Sequence, residues 1–345
     1  MPELVQQVPF GSTGMKVSPI IVGCMSYGSK SWQPWVEDNK EKVFALLKHC
    51  YDVGLRTFDT ADVYNNGQSE VLLGEFLKKY NIRRETVVIL TKIYFDSDDS
   101  MEVGSNFASI NESTKLDLVN QRGLSRKHII QGVKNSVRRL GTYIDVLQIH
   151  RLDDNVPMKS IMKSLNDVVL SGDVRYIGAS SMLATEFADL QAIADKHDWF
   201  QFVNWQSQYN LLYREDEREV IPYAKRHNIA VTPWSPNARG LLAKPANVTS
   251  ERKNFDPRLA SISDDDKEII GRVEKIAKDK DISMAMVSTA WVLSKRFLPI
   301  VGMSKMERID EAVKAIKVTL TQEEIKYLEE AYKPKPLETL VKLRD

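Results

Sequence analysis

Asp145-Val146-Leu147-Gln148-Ile149-His150 is an apolar run of strand length that ends on an ionisable residue. Before it, Ser125 stands where a helix N-cap belongs. Ile129, Ile130, Val133, Val137 and Leu140 follow at helical spacing, and Gly141 closes the segment. After it come a helical stretch over 158–170 and a second apolar run over 174–180. Strands that are apolar throughout and alternate with helices predict a parallel sheet covered on both faces.

The alternation extends outward in both directions. Strand-like runs lie at 20–23, 57–59, 87–92, 145–150, 174–180, 202–206, 229–234 and 298–301. Further helical stretches lie near 41–53, 186–196, 217–227, 308–316 and 322–332. In another, Ser69 is the candidate cap and Leu72, Leu73, Phe76 and Leu77 the buried face. Eight such strands favour a closed (β/α)8 TIM barrel over an open doubly wound sheet. Residues 8–17, with Gly11-Ser12-Thr13-Gly14 between short strand-like runs, predict an N-terminal β-hairpin. The stretches 95–123 and 236–263 are polar and without period, and predict long βα loops of the kind that serve as lids. One barrel domain over 1–345, with a tail at 333–345, accounts for the sequence.

Composition narrows the function. The 345 residues hold 48 basic and 47 acidic side chains, a net charge of +1, which argues against a protein built around nucleic acid or anionic lipid. No apolar run is long enough to span a membrane and no secretory signal opens the chain. Two cysteines, Cys24 and Cys50, make no disulfide framework and fit a cytoplasmic setting. Five scattered histidines lack metal-ligand spacing, so no metal site is expected.

Chemistry is expected at the strand ends. Successive apolar runs end in Asp59, Lys92, His150, Ser180 and Gln206. A polar or charged group there is costly unless it is paired or faces an open site. In a parallel barrel all these ends share the face where such enzymes place their active sites. Asp59, Lys92 and His150 are therefore expected to converge.

Residues 54–64, Gly-Leu-Arg-Thr-Phe-Asp-Thr-Ala-Asp-Val-Tyr, followed by Asn66-Gly67-Gln68-Ser69-Glu70, closely resemble the signature of the aldo-keto reductases. The resemblance continues at Leu90-Thr91-Lys92, Asp145 to His150, Ile177-Gly178-Ala179-Ser180 and Trp205-Gln206-Ser207-Gln208-Tyr209-Asn210. It spans about 11–332, and the long loop before Leu124 is similar to the fungal aryl-alcohol dehydrogenase branch. It implies a barrel that reduces carbonyls with NADPH, with Asp59, Tyr64, Lys92 and His150 as the catalytic tetrad. Tyrosine is a weak acid, with a pKa of about 10, and a nearby Lys92 cation is expected to lower it. By the same resemblance His150 gives the carbonyl oxygen a second hydrogen bond.

No Gly-x-Gly-x-x-Gly follows a strand, so a Rossmann site is not supported. The resemblance instead implies cofactor contacts from Gly23, Asp59, Ser180, Ser181, Gln206, Trp234 and Ser235. Gly302, Ser304, Lys305, Arg308 and Glu311 would hold the adenosine phosphate. Ser181 and Ala312 stand where many members carry Asn, which leaves NADH use open. Tyr27, Trp32 and Trp35 after the first strand, and Tyr94 and Phe95 after the third, could line a pocket for an aromatic or aliphatic aldehyde or pack their own loops. Two other readings compete. One is a cofactor-binding regulatory subunit like the potassium-channel β-subunits. The other is a lyase that uses Lys92 as a Schiff base.

Overall fold

The computed structural model describes residues 4–101, 112–248 and 262–337. Parts of the two long loops and most of the expected tail lie outside these described residues. An antiparallel hairpin comes first, β1 (Val8–Pro9) and β2 (Lys16–Val17), with Val8 opposite Val17. Then follow β3 (Ile21–Gly23), β4 (Thr57–Asp59), β5 (Val88–Ile93) and β6 (Ile144–Ile149). Next are β7 (Val174–Ser180), β8 (Phe202–Gln206), β9 (Ala230–Val231) and β10 (Ile300–Gly302).

These eight pair in parallel in the order β10-β3-β4-β5-β6-β7-β8-β9. The two ends of that order meet. The Leu298 N–H donates to the Val231 carbonyl at 2.9 Å, the Ile300 N–H donates to the Pro233 carbonyl at 2.8 Å, and Trp234 bridges Ile300. The sheet is thus a closed (β/α)8 barrel, and the doubly wound alternative falls away.

Around it run α1 (Lys40–Val53), α2 (Gln68–Lys79), α3 (Glu112–Leu118), α4 (Arg126–Leu140), α5 (Met158–Leu170) and α6 (Ala184–Lys196). They continue with α7 (Val220–Arg226), α8 (Asp264–Asp279), α9 (Met284–Ser294), α10 (Met306–Ala315) and α11 (Gln322–Glu329). Helix α4 matches its sequence signals. The Ser125 side chain accepts from the His128 N–H, Ile129, Val133 and Leu140 are buried, and Gly141 ends the helix at φ 68°.

Some elements differ from the reading above. Ser69 does not cap α2; Gly67 does, in the left-handed region. Ser69 lies in the first turn, donating to the Cys24 carbonyl and accepting from Thr60. Helix α9 carries no stripe in the sequence because eight of its eleven residues are buried, so it shows no period to read. Helix α8, which is not among the helical stretches read above, has its signals in place, with Ser263 as cap and Ile269, Ile270, Val273 and Ile276 buried. The run at 229–234 pairs as a strand only over Ala230–Val231, because Pro233 has no N–H to donate to the ladder.

The hairpin closes the bottom of the barrel. Phe10 and Val17 pack against Ile21, Leu90, Val146, Ala230, Leu298 and Ile300, the lower residues of the strands. Gly11 sits at φ 54° with the Asn228 carbonyl 2.6 Å from where a Cβ would be, so the turn can lie against the barrel only as glycine. A plugged floor leaves the opposite, C-terminal mouth for a site. Phe10 is fully buried. Phe10→Ala should therefore cost about 3–5 kcal/mol, read as a lower urea midpoint at unchanged slope. A loss under about 1 kcal/mol would show that the floor does not depend on it.

Candidate active site

Parallel register sets the convergence. Leu90 and Val146 point into the barrel floor, so Lys92 and Gln148, two residues further along, point inward one layer higher. Lys92 lies opposite Gln148, Asp59 opposite Leu90 and Gly23, and Ser180 opposite Gln206. His150 follows β6 by one residue, its N–H donating to the Ile93 carbonyl at 2.9 Å. Asp59, Lys92 and His150 thus meet at the C-terminal mouth.

Lys92 and Asp59 form a buried ion pair, Nζ to Oδ1 2.5 Å. The same ammonium donates to the Thr60 carbonyl at 2.8 Å and to the Tyr64 hydroxyl at 3.2 Å. The second Asp59 oxygen accepts from Gln206 Nε2 at 2.9 Å and from Gln148 Nε2 at 3.2 Å. Gln148 Oε1 in turn accepts from Gln206 and from Asn204, both at 2.8 Å. Asn204 also donates to Thr232 at 3.0 Å. A buried charge pair is tolerated when hydrogen bonds satisfy its remaining valences, and this amide layer does so.

Tyr64 sits in the loop after β4, and the two asparagines that follow it pin the neighbouring loops. Asn65 accepts from the Ser29 N–H at 2.8 Å and donates to the Tyr27 carbonyl at 3.1 Å. Asn66 donates to the carbonyls of Asp98 and Met101 and accepts from the Asp98 N–H. Both adopt left-handed φ, 53° and 50°, which asparagine tolerates better than most residues.

Burial decides the protonation states. It raises the Tyr64 hydroxyl, and the Lys92 cation offsets this only in part, so Tyr64 remains above its ordinary 10.0. The expected lowering by Lys92 is thus real as a contribution but outweighed, because burial, with the Asp59 charge adding to it, opposes it. Burial alone would depress Lys92, but Asp59 and Tyr64 hold its ammonium above the usual value. Burial, helped by Arg151 and Lys92, pushes His150 well below its usual range. His150 is therefore a neutral imidazole. Its Nδ1 is buried and has no hydrogen-bond partner among the described residues, which leaves Nε2 as the natural donor.

The expected cofactor residues occupy two places on the rim. Ser180 and Ser181 have their hydroxyls 3.3 Å apart at the end of β7, beside Gln206. Gln206 spends its NH2 on Asp59 and Gln148. Trp234 is half-buried, its backbone N–H donating to the Ser207 carbonyl, with the Arg239 guanidinium 5.5 Å from its ring centre and Ser235 next at φ 55°. Gly23 and Gly302 lie side by side at the ends of β3 and β10. Beyond them, exposed Lys305 precedes α10, Arg308 donates to the Ser304 hydroxyl at 2.8 Å, and Glu311 lies one helical turn on.

Aromatic rings line one side of the mouth. Trp32 packs on Trp35 and Tyr64, Tyr64 on His150, Phe95 on His150 at 5.0 Å, and Tyr94 on Phe95 at 5.0 Å. Tyr27 takes no part in these ring contacts. It is buried, and its hydroxyl donates to the Met303 carbonyl at 2.5 Å. The sequence reading missed Gln148, Asn204, Asn65 and Arg151. Gln148 had a signal: an amide inside an apolar strand, on the same face as His150. Asn204 had the same signal, an amide inside an apolar strand on the same face as Gln206; Asn65 and Arg151 had none.

The aldo/keto reductase family model matches residues 19–333. The chain is 63% identical to the Saccharomyces cerevisiae protein named "Putative aryl-alcohol dehydrogenase AAD16", over 96% of this chain and 98% of that one. It is 52% identical to the versiconal hemiacetal acetate reductase of Aspergillus parasiticus, over 95% and 97%. It is 42% identical to the aldo-keto reductase AMT2 of Alternaria alternata, over 94% and 91%.

Removing one partner of the ion pair strands the other. Lys92→Met should destabilise the fold by about 3–5 kcal/mol, and adding Asp59→Leu should recover much of that loss. Denaturant melts of the single and double variants check this; a double variant no more stable than the single one would contradict it.

Proposed function

The chain belongs to the aldo/keto reductase family, and from that premise we propose that it reduces aldehydes and ketones to alcohols with NADPH, Tyr64 giving the proton. Carbonyl chemistry by an oxidoreductase follows from the family and from relatives named as aryl-alcohol dehydrogenases and as a reductase. The observation that carries the finer reading is the Tyr64 hydroxyl, 3.2 Å from a buried ammonium and packed edge-on to His150.

The residues present fit the cofactor. Ser180, Ser181 and Gln206 offer polar groups for a carboxamide, and Gln206 keeps its oxygen out of the internal amide layer. Trp234 and Ser235 supply a ring and a hydroxyl beside them. Gly23 and Gly302 keep the rim low between the two halves. Ser304, Lys305 and Arg308 suit a 2′-phosphate, since guanidinium matches phosphate geometry, and Glu311 is near for adenine. When bound, the reduced nicotinamide supplies the hydride.

The chain's own groups do the rest. Tyr64 and neutral His150 hold the carbonyl oxygen with two donors. As negative charge develops on that oxygen, Tyr64 passes it the phenolic proton, and the adjacent Lys92 ammonium stabilises the phenolate left behind. Asp59 keeps Lys92 charged and aimed. A permanently protonated, ion-paired lysine is a poor nucleophile, which argues against the Schiff-base reading.

Tyr64→Phe should lower kcat by at least about 100-fold while cofactor affinity stays within about two-fold, read by NADPH oxidation with benzaldehyde and by cofactor fluorescence titration. Loss of cofactor binding would mark Tyr64 as structural. Wild-type kcat should stay level through neutral pH and fall only above about pH 10, since Tyr64 must keep its proton and burial raises its pKa. A fall between pH 7 and 9 would exclude Tyr64 as donor. Arg308→Ala should weaken NADPH by about 10-fold or more and NADH little, because only NADPH carries the extra phosphate. Equal losses would remove that assignment. Stable complex formation without turnover on any carbonyl would favour the regulatory-subunit reading.

A further inference from the structure

Arg151 directly follows His150, and its guanidinium is the unusual charge of the mouth. Other inward arginines are paired: Arg139 with Glu70 and Asp99, Arg84 with Asp145, Arg214 with Glu217 and Glu329. Arg151 has no carboxylate within ion-pair distance among the described residues. Its hydrogen bond runs from Nη1 to the His150 carbonyl, and its guanidinium carbon lies 5.7 Å from the centre of the Phe95 ring. The described groups around it include Tyr64, Tyr94, Phe95 and His150, and no carboxylate is among these. Burial brings its pKa down to about 10, and the two tyrosines only partly counter this. It still carries its charge at neutral pH, with most of its five N–H donors unspent.

An unpaired, largely buried cation is costly to keep. The cofactor's phosphates do not explain it. The candidate phosphate turn follows β10, and β6, which leads into Arg151, lies four places away in an eight-membered ring of strands. That is the opposite side of the barrel mouth. On Arg151's own side stands the aromatic wall.

We propose that Arg151 makes this site selective for aldehydes that carry a second, anionic group, a carboxylate above all, set apart from the carbonyl by an aromatic or short apolar spacer. The inference rests on the carbonyl-reductase reading. The aldehyde oxygen meets Tyr64 and His150, the spacer lies against Phe95, and the anion meets the Arg151 guanidinium, with which a carboxylate can pair through two parallel hydrogen bonds.

The test compares 4-formylbenzoate with 4-formylbenzamide, which match in shape and differ in charge. The kcat/KM ratio of the two with NADPH is taken within each protein, so that general effects of a substitution cancel. Wild type should favour the carboxylate about 10-fold or more. Arg151→Gln should reduce that preference about 10- to 100-fold, and Arg151→Lys should restore part of it. A wild-type ratio near one overturns the proposal without recourse to any variant. So does an unchanged ratio in Arg151→Gln, which would mean that Arg151 acts only on Tyr64 and His150. Calorimetry with the NADP+-loaded protein separates this inference from the reading beneath it. Carboxylate-selective, Arg151-dependent binding without turnover of either aldehyde would sustain the anion subsite and sink the reductase. Turnover of both aldehydes without selectivity would do the reverse.

Discussion

The contact between Lys92 and Asp59 is the constraint on which the site depends. Two opposite charges lie inside a barrel, where leaving either alone would cost several kcal/mol. The fold meets that demand by giving every valence of the pair a partner. The ammonium is shared among Asp59, Thr60 and Tyr64, and the carboxylate among Lys92, Gln148 and Gln206. The result is a cation that stays charged while buried, and a tyrosine that meets it without losing its own proton. Burial also sets the states of the two rings beside the pair: it keeps Tyr64 protonated and His150 neutral.

The rest of the barrel positions this layer. Below it, the hairpin and the lower strand residues form an apolar floor that excludes water from the polar layer. Above it, Asn65 and Asn66 extend from the segment that carries Tyr64 and fasten the loops after β3 and β5. The rings of Trp32 and Phe95 are therefore placed relative to the same short segment as Tyr64. Aromatic wall and Tyr64 share one anchor, so their spacing is fixed by the same few hydrogen bonds.

The mouth divides by strand. On the β7 to β10 side are hydroxyls, an amide, an indole and a cationic turn, suited to an extended nucleotide. On the β5 and β6 side are aromatic rings and the Arg151 guanidinium, which has no carboxylate partner among the described residues.

Much of this was legible in the sequence. Strands β4, β7 and β8 and helix α5 fall where their apolar periods put them, because short local signals specify them. Asp59, Lys92 and His150 stood out because an ionisable residue at the end of an apolar strand needs an explanation, and parallel topology supplies one. Ring closure, the helix α9 buried on all sides, and the burial of Tyr27 were not legible, since each depends on contacts between distant segments. Nor was the balance of charge. The sequence puts a lysine near Tyr64 and so suggests a lowered pKa, but only the packed structure adds the desolvation and the Asp59 charge that reverse the sign. It likewise hides that Arg151 has no acidic partner among the described residues, because pairing is a matter of distance in space. Sequence determined which groups could react; burial and proximity, which arise only when the barrel closes, decided their charge states and what they face.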